Sequence, residues 1–324
     1  MRVILHDEAV AEAAEDDLDE LLLMVLRGRH HAVHPDAAMP ALDAYLARRG
    51  WVTRWDAALD LGARELRAQR RAYTVEVVPA GLADATRSLP RLSTSDAVQL
   101  LRQPLHILVE NGRNDGELLR ALATLDDRLE GWDRYLRDGV IDLENGGGLE
   151  EMQRRLSMHL RDRLQRLRRF ALFDSDAVAP GHASPASDAL RSWCAPNNKP
   201  PRVGHHQLAR RAAENYLPPS ALKAWTEQNS DELKRRGRAW KKLTDPQRHH
   251  YAMRDGLAKD LGNPMAATLF SDLADGPRQV LLHGFGREVR DRFDAANPFW
   301  ASWMREDGQA DEVRALFQKI LERV

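Results

Sequence analysis

Three short apolar runs, each ending in a turn or an acidic residue, constrain this chain more than any other feature. They are PLHILVEN at 104–111, GVIDLENGGG at 139–148 and RRFALFDSDA at 168–177. Between the first two, GRNDGELLRALATLDDRL carries Leu118, Leu119, Leu122 and Leu125 on one helical stripe, with Asn114 or Asp115 as its N-cap. Between the second and third, LEEMQRRLSMHLRDRLQRL reads as one long helix. Strand, helix, strand, helix, strand is the pattern of a parallel sheet with helices covering its faces. Ligands of such sheets bind at the carboxyl ends of the strands. Here those ends carry Glu110, the turn Gly146 to Gly148, and the pair Asp174 and Asp176.

The aspartate pair poses an electrostatic problem. In an extended chain residues i and i+2 face the same way, so Asp174 and Asp176 stand side by side and repel. A hard divalent cation, which takes carboxylate oxygens, is the natural third party; an Asp-rich turn after a buried strand is the simpler account. Three strand ends meeting on one rim favour the metal site.

The bulk numbers exclude several classes. With 324 residues the chain has room for two or three domains, and 43% hydrophobic with 30% charged residues is an ordinary globular composition. A net charge of -1 gives no global signature of nucleic-acid binding, although basic stretches such as RRLSMHLRDRLQRLRRF and KRRGRAWKK leave a local basic surface open. Cys194 is the only cysteine, which excludes an intrachain disulfide and a multi-thiolate zinc site. No run approaches the roughly 20 apolar residues of a membrane span, and the apolar run near Met1 is too short for a signal peptide. The expectation is a cytoplasmic protein without a membrane partner.

The flanks are less explicit. Residues 1–100 read as a mostly helical region of unknown role, with short strands at RVIL and AYTVEVVPAG. His30 and His34 could share a helix face there, but they lack a clear carboxylate partner for a metal. The Pro- and Ser-rich stretch APGHASPASDALRSWCAPNNKPPRVG reads as a long loop. HHQLARRAAENYLPPSAL then reads as a short strand passing into a turn around Glu214, and residues 226–324 as a helical C-terminal region. The run Arg154, Arg155, Arg161, Arg163, Arg166, Arg168 and Arg169, and Trp240 among basic residues, suit either a phosphate-tracking surface with base stacking or, more simply, a solvated face and a core tryptophan.

The motifs ILVENGRNDGELL, VIDLENGGG and FALFDSDA, in that order, resemble the TOPRIM domain, the metal-binding fold of topoisomerases, bacterial primases and OLD-type nucleases. The likeness spans roughly residues 103–220. LARRAAENYLP resembles the R..ENYL signature of stand-alone TOPRIM proteins of phage-defence systems, matched by Arg211, Glu214, Asn215 and Tyr216. Asn111 departs from the glycine that usually follows the glutamate. The resemblance implies an α/β fold with a TOPRIM-like sheet at 101–225, and a metal-dependent nuclease cleaving DNA or RNA with Mg2+ or Mn2+. The alternative is a non-catalytic regulatory or binding subunit. On this reading Asp174 and Asp176 are the main ligands, and Glu110 is a second-ion ligand or the general base. Glu214 is a further ligand or else an ion-pair partner of nearby Arg211, and Asp115 is an accessory acid or a helix cap. Lys199 and Arg202 hold a phosphate or lie in a solvated loop. The implied partners are a nucleic-acid substrate and an ATPase protein; a homo-oligomer is compatible with the sequence.

Overall fold

Eight short strands form two separate parallel sheets among the residues described by the computed structural model, which are all except 36–37, 69–72, 127–128, 160–161, 163 and 198–201. The first sheet contains β1 (Arg2–Leu5), β2 (His31–Val33), β3 (Thr74–Val77) and β4 (Arg91–Leu92), in the order β2-β1-β3-β4. The second contains β5 (Leu105–Val109), β6 (Ile141–Asn145), β7 (Arg169–Phe173) and β8 (Gly204–Gln207), in the order β6-β5-β7-β8. All strand pairings in both sheets are parallel. Parallel strands need long crossovers, and helices supply them, such as Gly112–Ala123 and Leu129–Arg137 between β5 and β6.

The chain leaves β5 for β6 on one side and returns to β7 on the other, so the strand order reverses between β5 and β7. That reversal opens a crevice at their carboxyl ends. The register sets Val109 beside both Asn145 and Leu172, which brings Glu110, the glycine turn and Asp174 to one rim. Strand alternation divides the second sheet's two faces. Leu105, Ile107, Val109, Phe170 and Leu172 enter one core, together with Leu118, Leu122, Trp300, Phe317 and Ile320. Leu108, Ala171 and Phe173 enter a smaller one with Met152, Leu156, Leu190 and Cys194. The C-terminal helices therefore cover one face of this sheet and share its core.

The N-terminal region is helix-rich, as its leucine spacing implies, but its helices pack around a four-stranded sheet of their own. Two of its strands were not foreseen, because β2 and β4 are only three and two residues long and carry no alternation to read. His31 lies in β2, so His30 and His34 are on no helix face. His30 is buried with Nε2 3.2 Å from the Leu101 carbonyl oxygen, and His34 accepts a 3.2 Å bond from Trp55 Nε1. The two units are tied through Arg168, which is buried and donates to the carbonyl oxygens of Gln103 and Arg323.

Two further expectations need correction. The helix after the glycine turn ends at His159, short of the Arg-rich stretch. Arg154 and Arg155 pair with Glu151 in its own first turn, Arg166 donates to the Ala85 carbonyl, and Arg169 sits in β7, so the described arginines of this stretch do not lie along one helix. Arg161 and Arg163 lie outside the described residues. The expected long loop contains the helix Pro185–Cys194, opened by Ser184, whose side chain accepts from the Ser187 N–H, and by proline in the first turn. Among the described residues no helix is long and apolar enough to cross a membrane.

The glycine turn shows why the sheet end is built as it is. A Cβ on Gly146 would stand 2.8 Å from the Val109 carbonyl oxygen and 2.3 Å from Met152 Cγ, while Gly147 and Gly148 have φ of 75° and 98°. Gly146→Ala is expected to lose about 1–3 kcal/mol of stability through overpacking, measured as the shift of the urea midpoint; an unchanged midpoint would mean the turn relaxes freely.

Candidate metal centre

Glu110 follows β5 directly, and its Oε1 accepts a 2.9 Å hydrogen bond from the Asp174 N–H at the end of β7. Asp174 in turn accepts from the Ala213 N–H at 2.9 Å through Oδ1. Each carboxylate thus uses one oxygen to lock onto the neighbouring chain and keeps the other for the crevice. The Asp174 carbonyl is fixed as well, by the Ser187 hydroxyl at 2.6 Å, which itself receives a bond from Gln207 on β8 at 2.8 Å. Asn111 caps the helix Gly112–Ala123 by accepting from the Asn114 N–H, and its own N–H donates to Asp115 Oδ2 at 2.8 Å. The N-cap is therefore Asn111 and not Asn114 or Asp115. At φ -131° this position has no need of glycine.

A cavity of about 210 Å³ lies at these strand ends, and Glu110, Asp115, Asp174 and Glu214 all line it, with Arg290 as the only cation among the described residues of its wall. Glu214 is 2% exposed and pairs with Arg290, not with Arg211 and not at the surface. Arg211 is turned away: it is 5% exposed, holds Asp260 at 2.5 and 3.0 Å, and donates to the His250 carbonyl. Asn215 and Tyr216 likewise serve the frame. The Asn215 amide bonds the carbonyls of Arg248 and Tyr251, and the Tyr216 hydroxyl bonds Glu312 at 2.6 Å. Of the four signature residues only Glu214 faces the cavity. Lys199 lies outside the described residues, and Arg202 stacks over the Trp193 ring, away from the crevice. Trp240 is a core residue, 3% exposed, unavailable for stacking on bases.

The two aspartates do not stand side by side. β7 ends at Phe173, and Asp176 takes φ 50°, the only positive φ among the described non-glycine residues. Its N–H donates to the Arg211 carbonyl at 2.7 Å, and the Ser175 hydroxyl to the Arg210 carbonyl at 2.8 Å, so the loop bends toward the chain leaving β8. Asp176 consequently lines an adjoining open groove with Glu110, Gly147, Gly148, Glu151 and Arg154. Glu110 and Gly148 border both spaces.

Burial and mutual repulsion raise the carboxyl pKa values here. Glu110 is pushed up to about 7, by burial first and then by the charges of Asp176 and Asp115, against the Asp174 N–H bond. Asp115 is pushed up to about 6, by burial first and then by Glu214. Asp174 is held well above the usual carboxylate range by burial and by the surrounding acids. The common cause is burial of several acids together, which Arg290 offsets in part at Glu110 and Asp115.

Sequence reasoning missed a second group. Among the described residues, His106, Asp142 and Glu144 are the one set of potential metal ligands whose atoms all lie within 4.8 Å of one another. The strand-end carboxylates do not converge to that degree. His106 Nδ1 stands 2.7 Å from Glu144 and 3.2 Å from Asp142, and Arg169 takes the other Glu144 oxygen at 2.6 Å. The His106 bond, with Arg169, holds Glu144 down at about 2. The signal was present in the i, i+2 spacing of Asp142 and Glu144, but the strand pairing that adds His106 was not. Comparison with known proteins finds no match for this chain, whether among family models, curated proteins or solved structures.

The buried Arg211–Asp260 pair gives a direct check on the assignment of Arg211 to the frame. Arg211→Met leaves Asp260 charged and unpaired, and is expected to cost on the order of 3–5 kcal/mol in chemical denaturation. A surface arginine in its place would change stability by less than about 0.5 kcal/mol.

Proposed function

We propose that this protein is a TOPRIM-type, Mg2+- or Mn2+-dependent nuclease that hydrolyses phosphodiester bonds in DNA or RNA. The observation that carries the reading is the meeting of Glu110, Asp115, Asp174 and Glu214 on one cavity at the strand-order reversal, with Asp176 in the adjoining groove. A hard oxygen-donor set of this kind fits Mg2+ or Mn2+, with Glu110, Asp174 and Asp176 as the groups that would hold it. A bound divalent ion supplies Lewis-acid stabilisation of charge developing on a phosphoryl group.

The protein's own residues account for the rest. In hydrolysis a water oxygen bonds to phosphorus, one P–O ester bond breaks, and the leaving oxygen takes up a proton. Glu110 borders both the cavity and the groove, and where it does not itself hold an ion it is the carboxylate placed to accept the proton that water gives up. The hydrogen bonds from Asp174 N–H to Glu110 and from Ala213 N–H to Asp174 fix both carboxylates before substrate arrives. The resemblance of the motifs to stand-alone phage-defence proteins supports an antiviral effector, working with an ATPase partner. A non-catalytic subunit of such a complex is the competing reading.

Incubation of mixed DNA and RNA with Mn2+ or Mg2+ is expected to show cleavage that falls to background in Asp174→Ala and Glu110→Ala. Metal-dependent binding of nucleic acid with no cleavage in the wild type would favour the subunit reading. The pH dependence has a definite sign. The raised carboxyl pKa values mean that the folded state binds more protons than the unfolded state, so the stability associated with Glu110 and Asp115 is complete below their usual range. It is lost as pH rises through about 6 and about 7. Mn2+ should therefore raise the melting temperature more at about pH 8 than at about pH 5, where protons compete for the same oxygens. An equal shift at both pH values would place the ion elsewhere.

A further inference from the structure

Arg290 belongs to no sequence motif. It comes from the 3-10 segment Arg287–Arg292, 76 residues after Glu214, and reaches the cavity only because the C-terminal helices fold over the second sheet. Its Nε donates to Glu214 Oε1, and Glu214 is almost fully buried. Among the described residues no hydrogen bond occupies Nη1 or Nη2, although the side chain lines the cavity beside Asp115 and Asp174. Arg211 shows the contrasting arrangement within the same fold: both of its terminal nitrogens are closed on Asp260. Arg120 likewise meets Asp133 through two nitrogens at once.

A guanidinium tethered through Nε to a buried carboxylate, with neither Nη group bonded among the described residues, presents a fork suited to two oxygens of a tetrahedral oxyanion. It also answers a difficulty of the site. Four carboxylates in the wall repel a phosphate, and a cation fixed opposite them gives the anion one attractive side to approach. We propose that Arg290 is the phosphate-gripping residue of this centre, and that Glu214 is its anchor and not a metal ligand. The inference rests on the cavity being a phosphodiesterase site, and it separates Glu214 from Glu110 and Asp174 in role.

The test uses the full chain with Mn2+ and inorganic phosphate as probes, each titrated calorimetrically. In Arg290→Gln and Glu214→Gln, Mn2+ affinity is expected to stay within about threefold of wild type. Phosphate affinity at saturating Mn2+ is expected to fall by on the order of tenfold or more, as for loss of a charge-assisted hydrogen bond. Arg290→Lys, which keeps the charge and loses the fork, should fall between. Because Arg290→Gln leaves Glu214 buried without its partner, the double variant Arg290→Gln with Glu214→Gln, uncharged and near-isosteric, serves where the single one melts early. Phosphate affinity unchanged in Arg290→Gln overturns the proposal, as does a tenfold loss of Mn2+ affinity in Glu214→Gln, which would make Glu214 a ligand. Should the wild type bind phosphate but no Mn2+, a phosphate loss confined to the Arg290 and Glu214 variants sustains the anion grip while removing the metal-centre reading.

Discussion

Among the described residues, four carboxylates and one guanidinium share one cavity, and the surrounding structure holds that imbalance in place. Left to themselves the acids would separate into water. Three are kept in the cavity by backbone, Glu110 by the Asp174 N–H, Asp174 by the Ala213 N–H and Asp115 by the Asn111 N–H, and Glu214 is held by Arg290. Those backbone donors come from the chain just past β7, from the turn after β8 and from the start of the helix after β5. The energy that holds the cluster therefore comes from the sheet and its cores, and the raised pKa values of Glu110, Asp115 and Asp174 record the opposing electrostatic cost.

The segment after β8 is where the C-terminal region is fastened to the sheet. Arg210 pairs with Asp307, Arg211 with Asp260, Tyr216 with Glu312, and Asn215 bonds two carbonyls near Tyr251. These partners are buried or partly buried, where a lost partner is expensive, so the segment has little freedom to shift. The same clamp delivers the Ala213 N–H to Asp174 and Glu214 to the cavity wall. A motif that reads as a line of site residues is thus mostly a fastening, with one side chain turned inward.

The first sheet is an internal comparison. It repeats the strand order of the second, and Asp7 follows β1 two residues on, in a place related to that of Glu110. Asp7, however, accepts from the N–H groups of Ala41 and Leu42 with both oxygens, at 3.2 and 3.1 Å. It caps a helix with both oxygens, where Glu110 and Asp174 each give the backbone one. Equal topology does not make equal sites; what differs is how many carboxylate oxygens the backbone leaves free.

The sequence by itself determined the strand, helix, strand order from 104 to 177, the glycine turn, the start of a short strand before Glu214, and the meeting of Glu110 with Asp174. These are local: apolar runs of about five residues, leucines at helical spacing, and glycines with φ values that other residues rarely adopt. The sequence could not show that Asp176 leaves the plane of its neighbour, because a hydrogen bond to the Arg211 carbonyl sets that φ. Nor could it show that Arg211 closes on Asp260, that His106 meets Asp142 and Glu144, or that Arg290 arrives beside Glu214. Only the tertiary structure decided these, since each pairs residues tens of positions apart whose contact exists only once the sheets and the C-terminal helices have packed.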